Sequence, residues 1–124
     1  MDVQSIYKMA DEAGRKAVEA LNVRPMVVAQ RENPFDDTSA IKKAWFVEDG
    51  VCGFAWCNIK PANGKFAKYL VSIGVARKDS YAGGVCLWVS DYNQSMQRKE
   101  AYAFAFARVL QANGIKAHAS SRMD

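Results

Sequence analysis

Apolar residues first recur with a helical period over residues 3 to 21. Val3, Ile6, Tyr7, Ala10, Ala13, Ala17, Val18 and Leu21 fall on one stripe, and Gln4, Lys8, Asp11, Glu12, Arg15, Lys16 and Glu19 on the other. This predicts a half-buried amphipathic helix with Asn22 as its stop. Gly14 either weakens that helix by about 1 kcal/mol relative to alanine or marks a close crossing. The strongest helical signal comes later, from Tyr92 to Gly114. Ser95 or Asn93 can accept a bond from a first-turn amide, the interior is rich in alanine, and Asn113-Gly114 is a left-handed stop. Tyr102, Phe106, Val109, Leu110 and Asn113 share one face while Phe104 points nearly the opposite way, so this helix must be covered on more than one side. A short helix is expected over residues 63 to 74, with Phe66, Tyr69, Leu70 and Ile73 as its apolar stripe, Asn63 as cap and Gly74 as stop.

Between these helices the period is two. Pro25 to Gln30 reads as a short strand with its proline at the start, where no ladder bond is lost, followed by a polar loop from Arg31 to Ser39. Asp49-Gly50 between two apolar runs is a hairpin signal, because a type I′ turn needs positive φ at both central residues. A two-residue turn there would set Trp45 opposite Phe54 and Lys43 opposite Trp56. One face would then carry Lys43, Trp45, Val47, Cys52, Phe54, Trp56 and Asn58, and the other Ala44, Phe46, Val51, Gly53, Ala55, Cys57 and Ile59. The second set is small and uncharged, which suits a sheet that a helix backbone approaches closely. Residues 77 to 84 read as a flexible basic loop leading into a fourth strand, where Val85, Leu87 and Val89 alternate with Cys86, Trp88 and Ser90. In a fifth, Ile115, Ala117 and Ala119 alternate with Lys116, His118 and Ser120. If the aliphatic sets share the helix-covered face, Trp88, Lys116 and His118 join the rings opposite. The expected architecture is a single α+β domain over residues 1 to 124, two layers in the order α-β-β-β-α-β-α-β, with an antiparallel or mixed sheet packed on a long C-terminal helix.

Composition changes this picture little. A chain of 124 residues, half hydrophobic and a quarter charged, suits one ordinary globular domain. No apolar run approaches the ~20 residues of a membrane-spanning helix, and Met1 to Ser5 lacks the regions of a signal peptide, so a cytoplasmic location is expected. Cys52, Cys57 and Cys86 form no C-x-x-C pair, and Cys52 and Cys57 would face opposite ways on one strand, so buried free thiols are expected. The net charge of +4 favours an anionic partner only slightly.

The aromatic and basic face is the leading functional candidate, because single-stranded nucleic acid is held by rings that stack on bases beside cations that meet phosphates. Its expected members are Lys43, Trp45, Phe54, Trp56, Asn58, Lys60, Arg77, Lys78, Trp88, Lys116 and His118, with Lys65 and Lys68 nearby. The opposing expectation is that the first helix or a second subunit covers these rings, since three exposed tryptophans are costly in a soluble monomer. His118 is the only histidine and cannot build a histidine metal site, and no Gly-x-Ser-x-Gly elbow is present, so neither a metal nor a cofactor is implied. Gly83-Gly84 and Asn63-Gly64-Lys65 could each hold a phosphate at backbone amides, although turn chemistry explains both. The tail from Ala119 to Asp124 is expected to fray; if ordered, Ser120, Ser121 and Arg122 would gather with the loop from Tyr81 to Gly84 as an anion cluster.

Gly50-Val51-Cys52-Gly53-Phe54-Ala55-Trp56 through Ile59-Lys60-Pro61, and Gln94-Ser95 through Lys99-Glu100-Ala101-Tyr102-Ala103, resemble small proteins encoded by tailed phages and prophages, over roughly residues 45 to 124. The resemblance implies an accessory role in a bacterial cell under infection and brings no activity, ligand or site residue with it. Two classes of function are therefore carried forward. One is a nucleic-acid-binding accessory protein using the aromatic face; the other is a protein-binding module, a homodimer or an inhibitor of a host protein, using the same surface. An enzyme comes third, because no catalytic constellation is visible.

Overall fold

Buried and half-buried residues alternate strictly along the strand Gly53–Lys60, and this division arranges its neighbours. The computed structural model describes residues 2–21, 26–31, 41–47 and 51–124, with the backbone alone for 26–31 and 41–47. The elements are α1 (Val3–Ala20), β1 (Met26–Arg31), β2 (Ile41–Val47), β3 (Gly53–Lys60), α2 (Lys65–Ser72), β4 (Arg77–Lys78), β5 (Val85–Trp88), α3 (Met96–Ala112) and β6 (Lys116–Met123). One antiparallel sheet has the order β4-β5-β3-β6, and α3 packs on it, as the α+β reading expects. Because β5 and β6 both run antiparallel to β3, they are parallel to each other, and α3 provides the long crossover that such strands require.

The expected pairing of β2 with β3 is corrected. β2 pairs instead with β1 in a separate two-stranded antiparallel sheet, with Val28 opposite Trp45 and Met26 opposite Val47. Residues 48–50, where the turn was expected, lie outside the described residues. Both edges of β3 are taken by strands attached to the two ends of α3. A local turn signal competes poorly with an arrangement that buries β3 and α3 against each other. The expected stop at Asn22 also lies outside the described residues, as does the loop expected from Arg31 to Ser39 except for Arg31 itself, which ends β1.

The inner face of β3 is small where the helix comes down. Ala55 and Cys57 are fully buried, as are Ala103 and Phe106 of α3. Gly53 lies where a Cβ would stand 2.8 Å from Cβ of Met96, so the start of α3 sits almost on the strand. Ser95 caps α3 by accepting from the Arg98 amide at 3.3 Å, and Gly114 takes the left-handed conformation just after the helix. Phe104 points outward, 42% exposed. The other side of α3 is covered by α1, so the helix is indeed covered twice. Gly14 marks the close crossing: a Cβ there would stand 2.5 Å from Cδ2 of Tyr102. The Tyr102 hydroxyl donates to Asp11, which also receives the Arg15 Nε at 3.0 Å, and the Tyr7 ring meets Phe106 and Tyr69 edge-on. Asp2 caps α1 by accepting from the Ser5 amide at 2.8 Å.

Three local expectations are also corrected. The cap of α2 is Gly64, with no side-chain bond, rather than Asn63. The basic loop contains the short edge strand β4. The tail is ordered: β6 runs to Met123, Ser121 Oγ donates to Glu100 Oε2 at 3.1 Å, and the Asp124 amide donates to the Cys52 carbonyl at 3.1 Å. No helix among the described residues is long and apolar enough to cross a membrane.

Gly14→Ala should lower stability in urea denaturation by about 1–3 kcal/mol, because overpacking against a ring held by Asp11 outweighs alanine's helical advantage of ~1 kcal/mol. Equal or greater stability in the variant would show that the Tyr102 ring has room to move.

Candidate functional site

The alternation that buries Ala55, Cys57 and Ile59 sends Phe54, Trp56, Asn58 and Lys60 to the opposite face of the sheet. The register then brings distant residues beside them. Trp56 lies between Trp88 and Ser120, Asn58 between Cys86 and His118, Phe54 beside Arg122, and Lys60 beside Lys116. Arg77 joins this face opposite Cys86. All three helices contribute their buried residues to the core on the other side, so α1 does not cover the rings.

Trp56 and Trp88 stack on one another, with centroids 5.5 Å apart and planes 2° from parallel. Trp88 is 46% exposed. Phe54 closes one end of the pair, its centroid 5.5 Å from that of Trp88. Two cations lie over the Phe54 ring: Lys99 Nζ at 5.3 Å and the Arg122 guanidinium at 5.7 Å. Lys99 is almost wholly buried, and its ammonium donates to the Gly53 carbonyl at 3.3 Å.

Beyond Trp56 the face opens into a groove of about 270 Å³, lined by Trp56, Asn58, Lys60, Asp79, Ala82, Lys116, Ala117, His118 and Ser120. Its floor is fixed by Asn58, whose Nδ2 donates to the Gly83 carbonyl at 2.8 Å and to Asp79 Oδ2 at 3.4 Å. Asp79 in turn folds the neighbouring loop: its Oδ1 accepts from the amides of Tyr81 and Ala82, and its carbonyl accepts from the Gly83 amide. These backbone bonds, chiefly that of Ala82, hold the Asp79 carboxyl below its ordinary range. The Gly83 amide, which was expected to be open to a phosphate, is taken by the Asp79 carbonyl.

Of the residues expected at the site, Phe54, Trp56, Asn58, Lys60, Arg77, Trp88, Lys116 and His118 share the one face. Lys78 does not, because alternation in β4 sets it opposite buried Val85. Lys43 and Trp45 belong to β2, paired away from β3, and their side chains lie outside the described residues. Lys65 and Lys68 stand exposed on α2, in the helical layer. The anion cluster of Ser120, Ser121, Arg122 and the loop does not assemble. Ser121 turns to Glu100 under the helix, and Arg122 sits beside Phe54, four residues along β3 from Asn58, where the loop is attached. The additional members are Arg122, Ser120, Cys86 and Asp79. Arg122 continues the alternation Lys116, His118, Ser120, which was legible had the tail been taken as a strand.

A larger cleft of about 840 Å³ runs between α1 and the edge of β5, lined in part by Tyr7, Asp11, Arg15, Asp91, Tyr92 and Tyr102. Its other wall includes Arg77, Cys86 and Trp88 of the aromatic face, and on the α1 side its polar groups are spent on one another. Both Asp11 oxygens accept bonds from Tyr102 and Arg15, and Arg15 also reaches Asp91 at 3.9 Å. Burial, then the bond to Asp11, raises the Tyr102 phenol well above its usual range and keeps it neutral. The groove on the sheet face is smaller, but its two lysines, Lys60 and Lys116, make no ion pair among the described residues. Among the described residues no group of three His, Cys, Asp or Glu side chains is placed to hold a metal ion.

No family model matches the chain, and no curated protein and no solved structure matches it.

The cysteines differ in their setting. Cys57 is buried, its thiol pushed up to about 12 by burial and then by Cys86; Cys86, on the aromatic face, is raised by partial burial and by Asp79; Cys52 is exposed, against the expectation of three buried thiols. Since the thiolate is the nucleophile, a disulfide reagent near neutral pH should react first with Cys52, more slowly with Cys86, and with Cys57 only after unfolding. Cys52→Ser should abolish the fast phase; a fast phase surviving in that variant would show that Cys86 is open to the reagent on the outer face.

Proposed function

We propose that the chain binds single-stranded nucleic acid through the outer face of the β4-β5-β3-β6 sheet, as a small accessory protein without a catalytic step. The observation that carries this reading is the parallel Trp56–Trp88 pair on a face that none of the helices covers, with Trp88 46% exposed. Stacking on such rings is indifferent to sequence, because every base has a π-face. Duplex bases are already stacked on both sides, so an indole platform selects unpaired ones. Around the rings stand Lys60, Arg77, Lys116 and Arg122, which suit a phosphate backbone. The resemblance to phage and prophage proteins adds an accessory setting to this reading.

The alternative is that the same surface binds protein, including a second copy of the chain. The exposed indoles would serve such an interface. The surrounding charges argue against a twofold dimer, since a second copy would bring arginines and lysines against their like.

Fluorescence anisotropy with a labelled single-stranded oligonucleotide, beside light scattering for mass, tests the proposal. Four phosphate contacts would lower affinity roughly fifty-fold between about 50 and 200 mM salt. Trp88→Ala should weaken binding about tenfold or more, stacking being worth ~1–3 kcal/mol per base. No binding at the lower salt, together with a doubled mass, would overturn the proposal in favour of self-association.

A further inference from the structure

The groove beside Trp56 has more definite chemistry than a stacking platform requires. Trp56 gives one face of its indole to Trp88 and lines the groove on the side toward β6. Across the groove stands His118, which is paired with Asn58 and is therefore the diagonal neighbour of Trp56 on the same face. Diagonal cross-strand neighbours lie about 7–8 Å apart, a gap that one inserted planar ring fills. Asn58 forms the floor between them. Because its Nδ2 is engaged by the Gly83 carbonyl and by Asp79, the amide cannot turn over without losing both bonds, and its oxygen is left as an acceptor on a residue that lines the groove.

At the far end Lys60 and Lys116 lie directly opposite each other across the β3–β6 ladder. Like charges in that position destabilise a sheet pair. Neither lysine has a carboxylate within ion-pair distance among the described residues; Asp79 feels the Lys60 charge but is held by the loop amides. An anion between the two ammonium groups would relieve that repulsion.

We propose that this groove is a subsite for a single nucleotide, its base inserted edge-first between the Trp56 indole and the His118 imidazole and its phosphate between Lys60 and Lys116. The subsite favours bases with an exocyclic amino group over thymine and uracil. The Asn58 oxygen attracts an amino N–H and repels a carbonyl, and the pairing edge of thymine or uracil presents its one N–H between two carbonyls. The inference rests on the proposed function and adds to it a position and a preference.

The experiment is an anisotropy titration of the full chain with labelled octamers of deoxycytidine, deoxyadenosine and thymidine at low salt. The expected result is that the cytidine and adenosine octamers bind about fivefold more tightly than thymidine, the contribution of roughly one hydrogen bond. Asn58→Ala should bring the three affinities within about twofold of one another, by the same loss. Because that substitution also frees the loop at Gly83, His118→Ala at an exposed position provides a second arm, with circular dichroism to show that the fold is kept; it too should erase the preference. Equal wild-type affinities, or a preference that survives His118→Ala, would overturn the subsite and leave binding on the aromatic face intact. Failure of all three octamers to bind would overturn both.

Discussion

The close approach of α3 to β3 is the constraint on which the structure depends. A helix can lie directly on a strand only where both present small side chains, and here Ala55 and Cys57 meet the face of α3 that carries Ala103 and Ala107. Where α3 comes closest, at Gly53, Ala55 and Cys57, the seam takes only small residues from β3, so the period-two geometry of the strand puts its rings outside. Phe54 and Trp56 stand on the far face because the near face must accept a helix. The arrangement that secures the core and the arrangement that displays the rings are therefore the same.

No helix covers the rings, because the other two helices are drawn to the core side. α1 crosses α3 at Gly14, where the absence of a Cβ lets the Tyr102 ring lie against the helix backbone, and Asp11 holds the phenol. The apolar stripe of α1, including Ile6 and Ala10, is used there, and nothing in that helix is left to shield the sheet's outer face.

Much of this was legible in the alternation of residues. Val85, Leu87 and Val89 against Cys86 and Trp88 set the parity of β5, and Ala117 and Ala119 set that of β6, so the common face of Trp56, Trp88 and His118 needed only the assumption that the aliphatic sets share the helix-covered side. Gly14 was also readable as a crossing. Pairing partners were not readable. Asp49-Gly50 speaks only for local chain reversal, whereas the partners of β3 are chosen by α3, which delivers β5 and β6 to its two edges. The end of the chain misled for a related reason. Ser120 and Ser121 suggest fraying by composition, but the ladder to β3 and the bond from Ser121 to Glu100 hold them, and Arg122 came into the site only through that register. The loop at Asp79 was hidden because one carboxylate organises it through backbone amides, a use of Asp that shows no sequence period.

The Phe54 ring, with the Lys99 ammonium and the Arg122 guanidinium over it, gives the surface two unlike ends. At that end the charge is fixed over a π-cloud, one cation reaching it from the helical side. At the other, half-buried Lys60 and exposed Lys116 oppose each other beside an amide and an imidazole. A linear molecule with distinct head and tail, lying along β3, would meet different chemistry according to which way it ran. Under the proposed function, the two ends would favour one polarity of a bound strand over the other.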